Sequence, residues 1–196
     1  MKTNLLWVFG VFMLISSAVL AQNDNKRFAV ELKGGAAIPV KELNGSSLNA
    51  GFGFEGIVHY KLMTHTGLFA GWGWNKLPAS HTFAGDDMCF EETGYVLGLQ
   101  FMHPIADTRF SYYVHAAGLY KHIETENADG DIIHDSRHGM GYQLGGGVNF
   151  GLNGNWSLSA GLKFSSLTRE TTFEGAEKNF AYSYISAPRI GLVKHF

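Results

Sequence analysis

Apolar and polar residues alternate with a period of two along most of this 196-residue chain. From Arg27 to Ile38, for example, one face is apolar, whereas Glu31 and Lys33 fall on the other. Successive side chains of a β-strand point to opposite faces, so the pattern predicts strands that are oily on one side. No long segment keeps the period of an amphipathic helix. Eight segments follow the alternation: Arg27–Ile38, Gly51–Leu62, Gly67–Lys76, Thr93–His103, Arg109–His122, Gly139–Leu152, Trp156–Ser165 and Phe180–Phe196.

The connections between these strands alternate in length. Short links are expected at about Met63–Thr66, Pro104–Thr108 and Asn153–Asn155, whereas the other connections are polar and run to roughly 12 to 17 residues. Asn153-Gly154 is a two-residue hairpin signal, because both central residues of such a turn must tolerate positive φ. Short turns at one end and long, mobile loops at the other are typical of barrels that cross a bacterial outer membrane.

Large aromatic residues lie near both ends of the apolar faces. Aromatic rings favour the interface between lipid and water, so two girdles of rings predict a surface that faces a membrane. If the short turns are periplasmic, the inner girdle comprises Phe28, Tyr60, Phe101, Phe110, Phe150, Trp156 and Phe196. The outer girdle comprises Phe52, Trp74, Tyr95, Tyr120, Tyr142, Phe164 and Tyr182. We therefore predict an all-β fold, namely an eight-stranded antiparallel up-and-down transmembrane β-barrel, as a monomer.

The first residues have the features of a cleavable signal peptide. Lys2 precedes an apolar run from Leu5 to Ile15, and small residues end the segment at Ala21. At 11 residues this run is shorter than the ~20 that a membrane-spanning helix needs. We predict a signal peptide at residues 1–21, export through the Sec pathway, cleavage after Ala21, and a single outer-membrane domain at residues 22–196.

Composition narrows the class of protein further. The whole chain has a formal charge of −2, and residues 1–21 contain one lysine and no acid, so nothing favours nucleic acid as a partner. Cys89 is the only cysteine, which excludes an internal disulfide. The 15 Phe, 8 Tyr and 25 Gly with only 4 Pro suit many closely crossing strands. The alternative fold is a soluble lipid-binding barrel such as a lipocalin, in which the oily face points inward.

Two stretches carry a resemblance to a known family. The ending AYSYISAPRIGLVKHF resembles the last strand, with its terminal Phe, of small outer-membrane β-barrel proteins, the OmpA/OmpX-like and "porin family" barrel domains. LNAGFGFEGIVHYKL resembles their second strand. The chain departs from the family at Lys194, where an apolar or aromatic residue is usual. The resemblance implies the bacterial outer membrane, contact with its lipid including lipopolysaccharide, and insertion by the barrel-assembly machinery.

One predicted loop is rich in residues that can bind metal ions. Its His and acidic residues lack the compact spacing of a metal site, so a solvated polar loop is the preferred interpretation. The sequence therefore assigns no metal-binding and no cofactor-binding residues. The residues concerned are His122, Glu124, Asp129, Asp131, His134, Asp135 and His138.

A catalytic function is the more specific alternative for this loop. Some outer-membrane barrels deacylate lipid A with a His-x-Ser pair, and His134 and Ser136 have that spacing. The pair falls in a loop with no chosen acidic partner, so we assign no catalytic residues. The resemblance implies a non-enzymatic barrel that displays its loops, in envelope integrity, adhesion or another surface interaction, and this is the preferred function. The alternatives are a lipid A-modifying enzyme and a loop-mediated binder of a small ligand or metal.

The inward-facing residues predict a filled interior. Eight strands enclose a space about wide enough for side chains alone, so no open pore is expected. Unpaired buried charges are costly, and we expect Glu31 and Glu55 each to lie near a Lys or Arg. The long inward residues are Glu31, Lys33, Glu55, Lys61, Gln100, Lys121, Gln143, Lys163 and Arg189. The long loops hold 13 acids and 5 bases, which favours divalent cations or basic partners outside the cell.

Overall fold

The chain forms nine antiparallel strands in a computed structural model that describes residues 26–173 and 175–196. The predicted signal peptide lies outside these residues and stays a prediction. No helix in the described ranges is long and apolar enough to cross a membrane. The strands are β1 (Phe28–Pro39), β2 (Gly51–Lys61), β3 (Thr66–Thr82), β4 (Gly85–Pro104), β5 (Phe110–Glu126), β6 (Ile132–Asp135), β7 (Gly139–Gly151), β8 (Trp156–Phe173) and β9 (Ala176–His195).

Eight of these strands close into a barrel. Each pairs antiparallel with its neighbours along the chain, and β1 pairs with β9, with Ala29 opposite His195. β6 is not part of the wall, because it pairs only with the end of β5. The predicted eight-stranded antiparallel up-and-down barrel is therefore confirmed. β6 is an additional strand that the sequence analysis did not predict, because four residues are too few for an alternating pattern to be recognised.

The two faces of the wall have the predicted polarity. Leu32, Leu97 and Ile190 are 64%, 62% and 59% exposed on the outside, where a soluble protein would bury them. Inward positions of the same strands hold buried charges such as Glu31 and Arg189. Rings pair across neighbouring strands at both ends, as Phe110 and Phe150 do at 4.8 Å and Tyr142 and Phe164 at 5.9 Å. The exposed apolar band excludes the inward-facing arrangement of a lipocalin.

Two of the four predicted long loops are paired strands instead. β3 and β4 stay paired up to Thr82 and Gly85, and β8 and β9 stay paired up to Phe173 and Ala176. The expected loops across residues 77–92 and 166–179 are thus the ends of long hairpins. We call this side the long-hairpin end, and the side with the connections at residues 62–65, 105–109 and 152–155 the short-turn end.

The polarity of the alternation inverts in these hairpin ends, which explains the missed strands. Beyond the outer girdle, toward the long-hairpin end, the apolar residues point into the barrel. Leu77 and Phe90 have no exposed surface there, while Ser80 points outward and is exposed. A search for strands with an oily outer face therefore stops at the girdle. Beyond that level the outside is water, so the strands continue with the pattern of a soluble barrel.

Tyr182 was predicted in the outer girdle and lies instead inside the barrel, with no exposed surface. The register between β8 and β9 shifts between Gly161 and Lys163, opposite Ala187-Pro188. A bulge adds one residue to a strand, so every side chain beyond it changes face. Proline, which has no amide proton, is found at such irregular positions. The bulge turns Tyr182 and Tyr184 inward and leaves Ile185 outside.

An apolar cluster fills the barrel at the long-hairpin end. The connection at residues 40–50 folds across the opening, and its Leu43 and Leu48 are buried. Val40 donates a backbone hydrogen bond to Ser183 at 3.0 Å, which ties this connection to β9. We call the cluster the apolar plug. Its buried members are Ala37, Leu43, Leu48, Leu77, Ala79, Met88, Phe90, Ile123, Leu167, Phe180, Tyr182 and Tyr184.

Candidate functional site

The lumen at mid-barrel is occupied by a buried ionic cluster. Glu55 of β2 lies between two cations, Arg189 of β9 at 2.9 Å and Lys163 of β8, to which it is directly hydrogen-bonded. All three side chains are at most 2% exposed. Lys163 also donates to the side-chain oxygen of Gln143 at 3.2 Å. Each charge therefore has a partner of opposite sign, as burial in a narrow interior requires.

A second cluster lies toward the short-turn end. Lys33 contacts Glu31 at 2.7 Å and donates to the hydroxyl of Tyr113 at 3.0 Å. Glu31 is also 3.0 Å from Nε2 of His59. The ring of Tyr113 can lie over the neighbouring strand β7 because its register partner there is Gly147, where a Cβ would lie 2.8 Å from the hydroxyl oxygen. The expectation that Glu31 and Glu55 each meet a Lys or Arg is confirmed.

A third cluster separates these charges from the apolar plug. Glu92 accepts hydrogen bonds from Lys121 at 3.0 Å, Asn75 at 3.0 Å and the hydroxyl of Tyr184 at 2.8 Å. Sequence reasoning missed Glu92, which it placed in a loop, and Tyr184. Continuing the alternation of β4 past Thr93 would have placed Glu92 inside, since it is two residues from inward-facing Gly94.

The described part of the lumen has an open space at the short-turn end. A cavity of about 200 Å³ lies there, lined by Arg27, Lys33, His59, Tyr113 and His195 among others. A second space lies between the ionic cluster of Glu55 and that of Glu31. It measures about 10 Å³, which is room for about one water molecule. The cavity is a blind vestibule, because the clusters and the apolar plug fill the lumen above it.

Four of the seven metal-capable loop residues come together in the structure. His122 and Glu124 lie on the outer face of β5. Asp135 of β6 lies directly opposite Glu124 in the register of the two paired strands. Nδ1 of His122 is 3.0 Å from Oδ1 of Asp135 and 3.9 Å from Oε1 of Glu124. The ring of His138 stacks on that of His122, with centroids 4.4 Å apart.

The acidic residues of the turn before β6 have a different role. Asn127 accepts hydrogen bonds from the backbone amides of Asp129 and Asp131, at 3.0 and 2.8 Å, and so shapes the turn. Their carboxylates belong to no metal-binding group among the described residues. Asn127 to Asp131 therefore form a turn that the Asn127 side chain shapes.

His134 and Ser136, the candidate catalytic pair, have separate surroundings. Ser136 Oγ accepts a hydrogen bond from the amide of Ile123 at 2.8 Å and donates one to the carbonyl of Arg137 at 3.2 Å. The ring of His134 lies edge-on to Phe180, with centroids 5.9 Å apart. The serine hydroxyl thus completes the backbone bonding of β5 and β6. His81, near the tip of the β3–β4 hairpin, pairs with Asp86 at 2.8 Å.

Comparison with solved structures places this architecture among small outer-membrane barrels. Neisserial surface protein A shares 13% identity and a TM-score of 0.59, over 89% of this chain and 100% of that one. The Yersinia pestis attachment invasion locus protein Ail, solved with the heparin analogue sucrose octasulfate, shares 15% identity with a TM-score of 0.53, over 88% of this chain and 100% of that one. The N-terminal barrel domain of Pseudomonas aeruginosa OprF shares 13% identity with a TM-score of 0.53, over 88% of this chain and 100% of that one. At these identities the likeness shows the fold alone.

The sequence itself identifies the family. No curated protein matches the chain significantly. The profile described as the outer membrane protein beta-barrel domain, however, matches residues 8–186. That match covers nearly the whole chain, includes the second strand and ends within the last one. Together with the exposed apolar band and its girdles it indicates the bacterial outer membrane. This chain belongs to the outer membrane protein β-barrel domain family.

Proposed function

We propose that this protein is a non-enzymatic, monomeric barrel of the outer membrane that presents its long-hairpin end to the cell exterior and forms no open pore. The observation that carries the proposal is the filled lumen. Three ionic clusters and the apolar plug follow one another along the axis. An ion crossing the barrel would have to separate buried pairs and then pass apolar side chains. Both steps are unfavourable in a region that excludes water.

The orientation rests on the asymmetry of the two ends. Short turns face the periplasm and longer elements face outward in barrels of this kind. The apolar band contacts lipid, including the lipopolysaccharide of the outer leaflet. Phe196 of the short-turn end lies at the inner girdle and is 41% exposed, which suits a role in recognition by the barrel-assembly machinery. The long-hairpin end then acts in envelope integrity, adhesion or another surface interaction.

Planar-bilayer recording tests the closed lumen. We expect purified protein to give no stable channels, and the same result after shortening the connection at residues 40–50 that covers the apolar plug, because the ionic clusters remain. An established 16-stranded porin, recorded in parallel, is the positive control. Stable single channels that disappear when the lumen is narrowed, and not when the hairpins are trimmed, would contradict the proposal.

A deletion strain tests the surface role. Loss of the protein should change permeability to detergents or attachment to surfaces, and plasmid-borne protein should restore the wild-type behaviour. A strain that differs from wild type in neither property would count against this role. Ail was solved with a sulfated ligand. Exposed acids at the long-hairpin end include Asp86, Asp87, Asp129, Asp131 and Asp135, so a basic or cationic partner is favoured over a polyanion.

The enzymatic alternative predicts a different outcome in the same strain. A lipid A deacylase would leave a changed acylation pattern when deleted, and Ser136→Ala would reproduce that pattern. We expect neither, because the Ser136 hydroxyl donates to a backbone carbonyl rather than to a base. Mass spectrometry of lipid A from the deletion, S136A and wild-type strains decides between the two functions.

A further inference from the structure

Three side chains at the long-hairpin end bring metal-binding atoms together from two strands. The ligand atoms of His122, Glu124 and Asp135 all lie within 4.8 Å of one another. His122 and Glu124 are two residues apart on β5 and therefore share a face. Asp135 reaches the same place because β6 folds back beside β5 and pairs with Glu124. The loop between them is long enough to hide this proximity from any analysis of spacing.

The donor atoms favour a transition metal of the zinc type. One imidazole nitrogen and two carboxylate oxygens form a set that Zn²⁺ accepts with bonds of about 2.0 to 2.2 Å. Such bonds place tetrahedral ligands about 3.3 to 3.6 Å apart. The observed separations of 3.0 and 3.9 Å from His122 bracket that range. Calcium and magnesium prefer all-oxygen sets, so the histidine selects against them.

The surroundings leave room for the ion and for a fourth ligand. The side chains of His122 and Glu124 are 13% and 22% exposed, and that of Asp135 is 49% exposed, so water can reach the cluster. The ring of His138 lies against His122 and supplies a second imidazole at the edge of the cluster. Asp135 is anchored by the amide of Arg137, which donates to Oδ1 at 2.8 Å.

We propose that His122, Glu124 and Asp135 form a site for a divalent transition-metal ion of the zinc type on the outer surface of the barrel. Binding would fasten β6 to the end of β5 with which it pairs. The fourth position is taken by water. The site is independent of the closed lumen, so it stands whether or not the barrel conducts ions.

The chain supplies a matched control in His81 and Asp86. This pair also lies at the long-hairpin end, at 2.8 Å, but no third ligand accompanies it among the described residues. If a histidine beside an aspartate sufficed for zinc, both places would bind. If the third ligand matters, only the cluster on β5 and β6 does.

Calorimetric titration of the untagged folded protein with zinc chloride, in detergent micelles at pH 7.5, tests the proposal. We expect one ion per chain, and a loss of about tenfold or more in affinity for H122A, E124Q or D135N, since each removes one of three ligands. H81A should bind like the wild type. Calcium chloride should give no saturable binding. Each variant is first checked for its folded band on unheated gels, so that lost binding is not lost folding.

Three results would overturn the site. The first is wild-type protein that binds no zinc below about 1 mM, which is the range of nonspecific association. The second is unchanged affinity in H122A, and the third is a loss of the ion in H81A equal to that in H122A. Cobalt as a spectroscopic probe adds an independent measurement, because tetrahedral coordination by His122 gives visible absorption that H122A should abolish.

Discussion

Glu55 is the residue on which the buried charges of the mid-barrel depend. Glu55→Gln keeps the shape of the side chain but leaves Lys163 and Arg189 facing each other without an anion. Breaking a buried ion pair from one side costs about 3 to 5 kcal/mol, so we expect a loss of stability of that order. The midpoint of urea unfolding, followed by tryptophan fluorescence in lipid vesicles, measures it.

Asp107→Asn is the control for this change. Asp107 is an exposed acid in a short turn, and its replacement should leave the unfolding midpoint where it is. Equal midpoints for E55Q and the wild type would show that water or a rearranged Gln143 solvates the two cations. The ionic cluster would then be a weaker barrier than proposed.

His81 provides a second prediction at this scale. The hydrogen bond and the charge of Asp86 raise the pKa of His81 above 6.5 although the ring is fully exposed. Stability from this pair is therefore complete below the unfolded pKa and is lost as the pH rises through the higher folded value. An NMR titration should show the raised pKa, and Asp86→Asn should return it toward 6.5. A wild-type value at or below 6.5 would mean that the pair is not formed in solution.

Individual residues also show how far sequence reasoning reaches. Glu31 and Glu55 were predicted to meet cations because a narrow lumen allows little else, and they do. Tyr182 was placed on the wrong face because a bulge leaves no trace in a count of alternate positions. At the Asn153-Gly154 turn the location was right, but the residues with positive φ are Gly154 and Asn155, at 68° and 69°.

At the level of elements, the long hairpins are the main departure from expectation. Mobile loops were expected at residues 77–92, whereas β4 is paired there with β3, and from Cys89 onward also with β5. The strands were hidden because their apolar face turns from lipid to the plug. The cluster of His122, Glu124 and Asp135 was hidden for a related reason, since the pairing of β5 with β6 is set by tertiary structure and not by spacing.

Hydrogen exchange distinguishes paired hairpins from mobile loops. Amides of residues 86–92 should exchange slowly, because they lie in a paired strand and its inward side chains are buried in the apolar plug. The turn at residues 127–131 serves as the internal reference and should exchange quickly. Phe90→Ala should speed exchange in the hairpin ends more than at mid-barrel. Rapid exchange of residues 86–92 in the wild type would restore the mobile-loop interpretation.

For the whole molecule, closure of the wall predicts resistance to detergent. A closed barrel has no free sheet edge at which unfolding can begin, so the folded protein should run anomalously on unheated SDS gels. Boiling should shift the band to the position expected for the unfolded chain. A variant that lacks β9 cannot close the wall and should run identically with and without heating. Absence of any shift in the full-length protein would contradict the closed barrel.

The fold could be predicted as a whole because membrane burial imposes one rule on every strand. That rule places apolar residues outside and polar residues inside for the full height of the lipid, and it repeats eight times. It ceases to apply beyond the girdles, which is where the plug, the extra strand and the cluster of His122 lie. The long-hairpin end is therefore the part of the molecule that the sequence pattern predicts least completely.

The pairing of β4 on both sides has a consequence for immune recognition. Between Cys89 and Glu92 this strand is hydrogen-bonded to β3 and to β5, and its alternate side chains are buried in the barrel. A synthetic peptide that copies this stretch would expose to an antibody the backbone groups and the Phe90 ring that are buried in the folded barrel. Antibodies that recognise the living bacterium should instead bind surfaces assembled from several hairpins, and should lose their target when the barrel is boiled.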